Sequence, residues 1–485
     1  MADGLAWLES RALFVAAVAA VLVESFAGIP THLAQDGWLA LVAGRIIAQH
    51  GIPTHDYLTV MAYGVRWTDQ QWLAQLSIYG LQRLGGLALF CVFYVFLTGL
   101  SFGLGIAASR HLGAQDRYLI WMLPVGGFFY IATAVSIRTQ GFAYPFFVTT
   151  LWLLAAEVRR PTRRRVYLVF PLLIVWANLH GSVTLGVAMS VVYGATLLWQ
   201  SCRDRGWLGL LHRRGLIFVI GSPLCLFATP YGLSIIRYYR VTLFNSEFSK
   251  LVSEWQPVTA YMILAVPLLI LIFGMIWTLG RSGRRTPAFD QIVLAILAFA
   301  AIDAVRNITW FGLAIVVLLP PAISGLRSNA TPATRHRSVN LAIALTCIAL
   351  VVVFTISTFI RPASWFESTY PKRAVSVAAG FLERDPHVKI FADVRYADWL
   401  VWHDPKLAGH IAYDTSLENL TSQQLLSLAT LTQVPEPGTR GFLAPYSVLM
   451  LNPSNHSTNR ILVSRPGVKV ILRSKRVLIA TKPAS

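Results

Sequence analysis

Eight polar residues, Asp36, Asp56, Arg138, Asn178, His180, Glu254, Asp303 and Arg306, stand at or beside the ends of long apolar runs. Ionisable groups beside an apolar slab are costly and usually line a cavity or a pathway. Their chemistries are complementary. An ionised carboxylate, Asp36 or Asp56, can take a proton from a hydroxyl or orient it for attack. A guanidinium, Arg138 or Arg306, binds phosphate oxygens through two parallel N–H bonds. Asn178 and His180 flank Leu179 beside Gly181, where the absent side chain allows a hydroxyl-bearing ligand to come close. Glu254 and Trp255 pair a carboxylate with a stacking face.

Each of these residues also has a structural reading. Asp36 opens a helix-forming stretch and suits an N-cap, whose side chain accepts backbone N–H bonds. Asp56, in Pro53-Thr54-His55-Asp56, suits a turn, with metal binding as its other use. The arginines can snorkel into headgroups, Asn178 and His180 can serve helix packing, and Trp255 can anchor at the membrane interface.

The elements that carry these residues follow from hydropathy. The 485 residues are 55% hydrophobic and 13% charged, with a mean hydropathy of +0.57. A soluble enzyme of that composition would expose a vast apolar surface. The net charge of +19 comes from short Arg clusters between apolar runs, not from one basic polar domain, so membrane topology accounts for it and nucleic acid is not an expected partner. Cys91, Cys225 and Cys347 lie in apolar runs and Cys202 in a basic loop, so no disulfide framework or Cys-rich metal site is implied.

A crossing helix needs about 20 mostly apolar residues. Eleven such runs are present, near 12–30, 86–108, 118–136, 141–157, 166–179, 181–199, 215–230, 259–279, 288–304, 308–325 and 339–360. The first lacks a strong basic leader and is read as a retained helix. Lys and Arg favour short cytoplasmic loops. With the N-terminus inside, the inside loops collect Arg110, Arg117, Arg159, Arg160, Arg163–Arg165, Arg203, Arg205, Arg213, Arg214, Arg281, Arg284, Arg285, Arg327, Arg335 and Arg337. The polar set then faces outside, as does the C-terminal region.

The first outside loop, 31–85, predicts an amphipathic helix from Asp36 to His50 lying in the interface. Residues 1–360 form the transmembrane part, and 361–485 read as a small α+β domain outside the membrane. Its expected elements are a helix over Ala374–Glu383, strands at Val388–Ala392, Trp399–Trp402 and His410–Tyr413, a helix near Ser422–Leu431, and a closing strand pair at Val468–Leu472 and Val477–Ala480.

A set of blocks carries a resemblance. They are Asp36-Gly37-Trp38, Gly44-Arg45-Ile46-Ile47, His50-Gly51-Ile52-Pro53 with Asp56, Trp67 with Gln71-Trp72-Leu73 and Tyr79, Arg138-Thr139-Gln140-Gly141-Phe142, Trp176-Ala177-Asn178-Leu179-His180-Gly181, Thr229-Pro230-Tyr231-Gly232, Glu254-Trp255-Gln256-Pro257, Arg306, Tyr396-Ala397-Asp398-Trp399-Leu400 and Tyr413-Asp414. Together they resemble a family of bacterial multi-pass membrane proteins related to the GT-C glycosyltransferases, which use polyprenyl-phosphate sugars. Two departures stand out: the family's His-Glu is Gln70-Gln71 here, and its Pro is Thr139.

The resemblance implies a GT-C-like transferase in a bacterial cytoplasmic membrane that passes a sugar from a polyprenyl-phosphate donor to a glycan, lipid or protein acceptor outside. Asp36 matches the position of the family's essential acid in the first outside loop, with Asp56 second. Arg138 and Arg306 would hold the donor phosphate, and Gln140, Asn178, His180, Tyr231, Glu254 and Trp255 would contact substrate. No cofactor is required by this reading, and a divalent metal is an open addition. Two other classes stay open: a transporter or flippase, for which Glu24 and Asp290 are the few polar residues continuing through the runs, and a non-catalytic envelope assembly protein.

Overall fold

A helix lies on each of the eleven apolar runs in the computed structural model, which describes residues 2–244, 252–326, 337–433, 442–454 and 467–481. Among the described residues, six helices are long and apolar enough to cross a membrane, or eight if each of two bent pairs counts as one. Arg327 and Arg335 of the expected basic clusters lie outside the described residues.

Helix Ile308–Ser324 is apolar on all sides and buries nearly every side chain, which makes it the centre of the bundle. Helices Asp116–Thr133 and Ala288–Asp303 pack against it. Arg337–Ile360 instead buries only Ala344 and Thr358 and presents an apolar outer surface. Helix Trp72–His111 bends at Gly85-Gly86, where Gly86 has φ 66°, a left-handed value that glycine adopts without a Cβ clash. The bend separates the end of the first loop from the apolar stretch that follows. Asp290 is not a link in a polar path: it is fully buried and its Oδ2 receives Arg159 Nη2 at 2.6 Å.

Helix Gln35–His50 forms where expected, but in a different setting. Trp38, Leu41, Val42 and Ala43 are buried against helices Trp72–His111 and Val394–His403, so its apolar face meets protein. Trp38, Tyr370 and Trp399 form a ring series with centroids 5.6 and 5.1 Å apart. Arg45 donates to the carbonyls of Val401 and Trp402 at 2.8 and 2.9 Å, satisfying orphan groups at that helix's C-terminal end. The helix near the chain's start and the C-terminal residues therefore share one core.

The C-terminal sheet has strands β1 Ile390–Ala392, β2 Val448–Leu451, β3 Lys469–Arg473 and β4 Leu478–Thr481, in the order β1-β2-β4-β3. β1 and β2 are parallel with Phe391 opposite Leu449, and the other pairs are antiparallel. Helices Arg373–Arg384 and Ser422–Gln433 match expectation. The expected strand at Trp399–Trp402 is instead part of helix Val394–His403, which Asp393 caps by accepting the Arg395 N–H at 3.0 Å. Buried Tyr396, Trp399 and Leu400 fit the helical period, which a four-residue aromatic run cannot distinguish from a strand. His410–Tyr413 forms only single bridges, from Ile411 to Ile390 and to Thr59. The central strand β2 went unanticipated, because all four of its residues are buried and it shows no alternation.

Candidate functional site

The site is built where three loops meet. Gly37 sits 2.6 Å, measured from an ideal Cβ, from the Ile137 carbonyl, so only a residue without a side chain lets the segment before Arg138 lie against the start of helix Gln35–His50. The Ile137 N–H donates to the His32 carbonyl at 2.9 Å and fixes that approach. On another side, the Val305 N–H donates to the Gln256 carbonyl at 3.0 Å, tying the segment that carries Glu254 to the one that carries Arg306.

Arg138 is the centre of the site. Its Nη1 donates to Asp36 Oδ2 at 3.2 Å and to both oxygens of Glu254 at 2.8 and 2.9 Å. The Arg138 side chain is 9% exposed, whereas those of Asp36 and Glu254 are 45% and 34% exposed. One nitrogen thus serves both carboxylates. Among the described residues Nε and Nη2 are buried with no hydrogen-bond partner, a costly state for a guanidinium. Burial pulls the Arg138 pKa down, but Glu254 and Asp36 outweigh it and raise it overall, so the cation is secure. Burial raises Glu254, yet Arg138 and Arg306 bring it below the ordinary carboxylate value.

Arg306 stacks its guanidinium 4.2 Å from the centre of the Trp255 ring. The stack covers one face of the indole, so that face is a support for Arg306. His180 is buried, and burial together with the charges of Arg306 and Arg138 holds its pKa well below the usual imidazole value. Its Nδ1 accepts the Ser182 backbone N–H at 3.1 Å. A neutral ring with Nδ1 accepting carries its proton on Nε2.

The other expected residues take structural roles. Asn178 accepts from Trp72 Nε1 at 2.8 Å and donates to the carbonyls of Ile174 and Ala228 at 2.8 Å, so it holds helix ends together. Tyr231 donates to the Pro53 carbonyl at 2.9 Å. Gln140 is buried two residues after Arg138. Asp36 follows Ala34, the residue at the N-cap position, and makes no cap bond, so its carboxylate is free to meet Arg138. Asp56 is fully buried and receives the Leu58 N–H at 2.8 Å and Asn419 Nδ2 at 2.9 Å, contacts of a turn joined to the C-terminal region. Asp303 is exposed. Among the described residues, no group of three or more His, Cys, Asp or Glu side chains is placed to hold a metal ion.

Sequence reasoning missed Tyr144. It is fully buried, its hydroxyl has no partner among the described residues, and it lies within electrostatic range of Arg138, Glu254 and Arg306. Nothing but its place shortly after Arg138 could have drawn attention to it within an aromatic run. The two departures at Gln70-Gln71 and Thr139 also meet: Thr139 donates its hydroxyl hydrogen bond to Gln71 Oε1.

No family model matches the sequence, and no curated protein matches it. By structure the chain is similar to ArnT from Cupriavidus metallidurans bound to undecaprenyl phosphate, with TM-score 0.53 and 14% identity over 98% of this chain and 99% of that one. It is also similar to the Archaeoglobus fulgidus oligosaccharyltransferase tethered to an acceptor peptide, with TM-score 0.53 and 10% identity over 92% of this chain and 70% of that one. AglB from the same organism, in complex with an inhibitory peptide and a dolichol-phosphate, gives TM-score 0.52 and 12% identity over 91% and 69% of the two chains. What the chain shares with these solved structures is their fold.

Proposed function

We propose that this chain, with the GT-C fold, is a membrane glycosyltransferase that moves a sugar from a polyprenyl-phosphate donor to an acceptor. The single observation that carries the reading is Arg138, whose Nε and Nη2 are buried without partners among the described residues, beside two carboxylates. Two adjacent guanidinium donors with nothing to bind fit a phosphate oxygen pair. Arg306, held by Trp255, supplies a second positive charge. Neutral His180 and the unpartnered Tyr144 hydroxyl add uncharged groups to the same neighbourhood. The fold neighbours bound to undecaprenyl phosphate and dolichol-phosphate support a lipid-phosphate donor.

In this reading Asp36 accepts the acceptor's hydroxyl proton. The acceptor oxygen bonds to the sugar's anomeric carbon as the bond from that carbon to the phosphate oxygen breaks. The polyprenyl phosphate leaves with its charge held by Arg138 and Arg306. The chain would cross the cytoplasmic membrane of a bacterium eleven times, with its N-terminus inside and residues 361–485 outside, on the acceptor side. The alternating Arg clusters support that orientation.

The test is binding and transfer by the purified full chain. Undecaprenyl phosphate should bind the native protein, and Arg138→Gln should weaken binding and lower transfer from polyprenyl-phosphate sugars about a hundredfold to a thousandfold, as loss of a charge-stabilising donor does. Arg138→Lys should recover only part, because an ammonium lacks the fork. Transfer retained in Arg138→Gln would overturn the reading.

A further inference from the structure

Residues 437–485 contain eight Lys or Arg and no Asp or Glu. Four of the eight, Lys469, Arg473, Lys475 and Arg476, are exposed on the edge strand β3 and on the turn that joins it to β4. They form no ion pair among the described residues. We propose that the β3–β4 turn, with Arg473, Lys475 and Arg476, is a docking surface for the anionic lipid headgroups of the membrane leaflet that the C-terminal region faces. The proposal stands apart from the transferase reading and needs only that the apolar helices lie in lipid.

Strand register decides which end of the sheet the turn occupies. β1 and β2 run parallel with Ala392 opposite Met450, and β4 returns with Leu478 opposite both Leu451 of β2 and Arg473 of β3. The turn therefore stands where β1 and β2 finish. A chain of contacts ties that end to the exits of two apolar helices. The Tyr396 hydroxyl donates to the Arg476 carbonyl. The adjoining Arg395 guanidinium lies 6.0 Å from the centre of the Tyr370 ring, and the Tyr370 hydroxyl donates to the Leu33 carbonyl at 3.3 Å. Leu33 shortly follows helix Ala12–Ala27, and Tyr370 follows helix Arg337–Ile360. Because Arg337–Ile360 presents an apolar outer surface, lipid lies beside its exit.

Charge at this end complements a negative surface. Exposed Arg361, 5.2 Å from the centre of the Trp365 ring, adds a base just past the last apolar helix. The nearby acids are committed: Asp393 Oδ1 receives the Arg395 N–H at 3.0 Å, and Glu367 meets His403 at 3.1 Å. Exposed Glu383 and Asp385 precede β1 and belong to the opposite end. Arg361, Arg395, Arg473, Lys475 and Arg476 thus outnumber Asp393 and Glu367. A basic residue within a Debye length of an anionic bilayer favours contact about fivefold. Lysines on edge strands also guard against pairing with another strand. Lys469 suits that role on β3, whereas Lys475 and Arg476 lie beyond the strand.

The experiment places the full chain in lipid nanodiscs, with Cys202→Ser and Cys347→Ser and with the buried Cys91 and Cys225 kept. A fluorophore is attached at Ile471→Cys, a position 45% exposed on β3, and a trace lipid with a nitroxide on its headgroup reports contact by quenching. Replacing part of the phosphatidylcholine by phosphatidylglycerol should raise the quenching. Salt that shortens the Debye length to about 3 Å should abolish the rise. A fluorophore at Lys389→Cys, at the opposite end of the sheet, should not respond. Arg473→Gln, Lys475→Gln and Arg476→Gln should each shift the contact equilibrium about fivefold toward water, and the triple variant about a hundredfold. Arg473→Lys with Arg476→Lys should keep the native response, because a bilayer surface reads charge and not the guanidinium fork. All variants should melt at the native temperature. The proposal is overturned if the two lipid compositions give equal quenching, if the triple variant matches the native protein, or if the Lys389 position responds equally. Binding of oligoglutamate or inorganic phosphate in phosphatidylcholine discs, lost in the triple variant and without any response to phosphatidylglycerol, would make the turn a peptide or free-phosphate site and also overturn it.

Discussion

The Thr139 hydroxyl donates to the side-chain oxygen of Gln71, joining the two positions at which this chain departs from the family it resembles. Gln71 begins the loop exit into helix Trp72–His111, and Thr139 directly follows Arg138. A proline at 139 would have no hydroxyl to give. The bond therefore stands where the family has a different pair of residues, and it steadies the backbone on one side of the central guanidinium.

The first prediction follows from that bond. Thr139→Val and Gln71→Ala should each lower stability, and the double variant should lose less than the sum. The coupling should be about 0.5–1.5 kcal/mol, the usual net worth of a hydrogen bond. Melting of the four proteins in one detergent checks it; additive losses would mean the contact contributes nothing.

Asp36 separates catalysis from stability cleanly. It makes no N-cap bond, and Glu254 keeps its own bonds to the same Arg138 nitrogen when the half-exposed Asp36 carboxylate is neutralised, so Asp36→Asn should cost no more than about 1 kcal/mol. Loss of a general base should lower transfer about a hundredfold to ten-thousandfold. Equal melting temperature with retained transfer would move the base to Glu254, the other carboxylate on Arg138.

The pH dependence of stability should run opposite to that of an ordinary ion-paired protein. Burial pushes Asp69 up to about 7, Glu418 to about 7 and Asp414 to about 8, with Asp56 adding repulsion to the last two. Below the unfolded values near 4, both folded and unfolded states hold these protons and the contribution is fully present. Between about 4 and 8 the unfolded chain gives them up first, so stability falls as pH rises. The melting temperature should thus be higher at pH 5 than at pH 8, and Asp69→Asn should flatten the slope. A slope unchanged by that substitution would remove Asp69 from the account.

Topology is tested by labelling in a Cys202→Ser background. A cysteine at exposed Ser454 should react with an impermeant reagent added outside, and one at Trp207, which is 76% exposed beside Arg205, should react only after permeabilisation. Ser282 is unsuitable as the inside position because it is buried. Reaction at Trp207 in intact cells would reverse the proposed orientation.

By itself the sequence determined where the apolar helices lie, because a long apolar run has one dominant solution in lipid, where backbone groups must bond within the helix. It also marked Asp36, Arg138, Glu254 and Arg306, since charge at the edge of an apolar slab needs a reason. It did not determine which of the marked groups meet. Arg138 and Glu254 are 116 positions apart, and their contact depends on a glycine approach at Gly37 and on the tie between Gln256 and Val305. Tertiary structure alone assigned Asn178, Tyr231 and Asp56 to structural hydrogen bonds, because a polar residue's type does not say whether its partner is backbone or ligand. It also decided that helix Gln35–His50 buries its apolar face in protein and that Trp399 lies on a helix. An amphipathic pattern specifies that one face must leave water, and only the packed chain specifies what covers it.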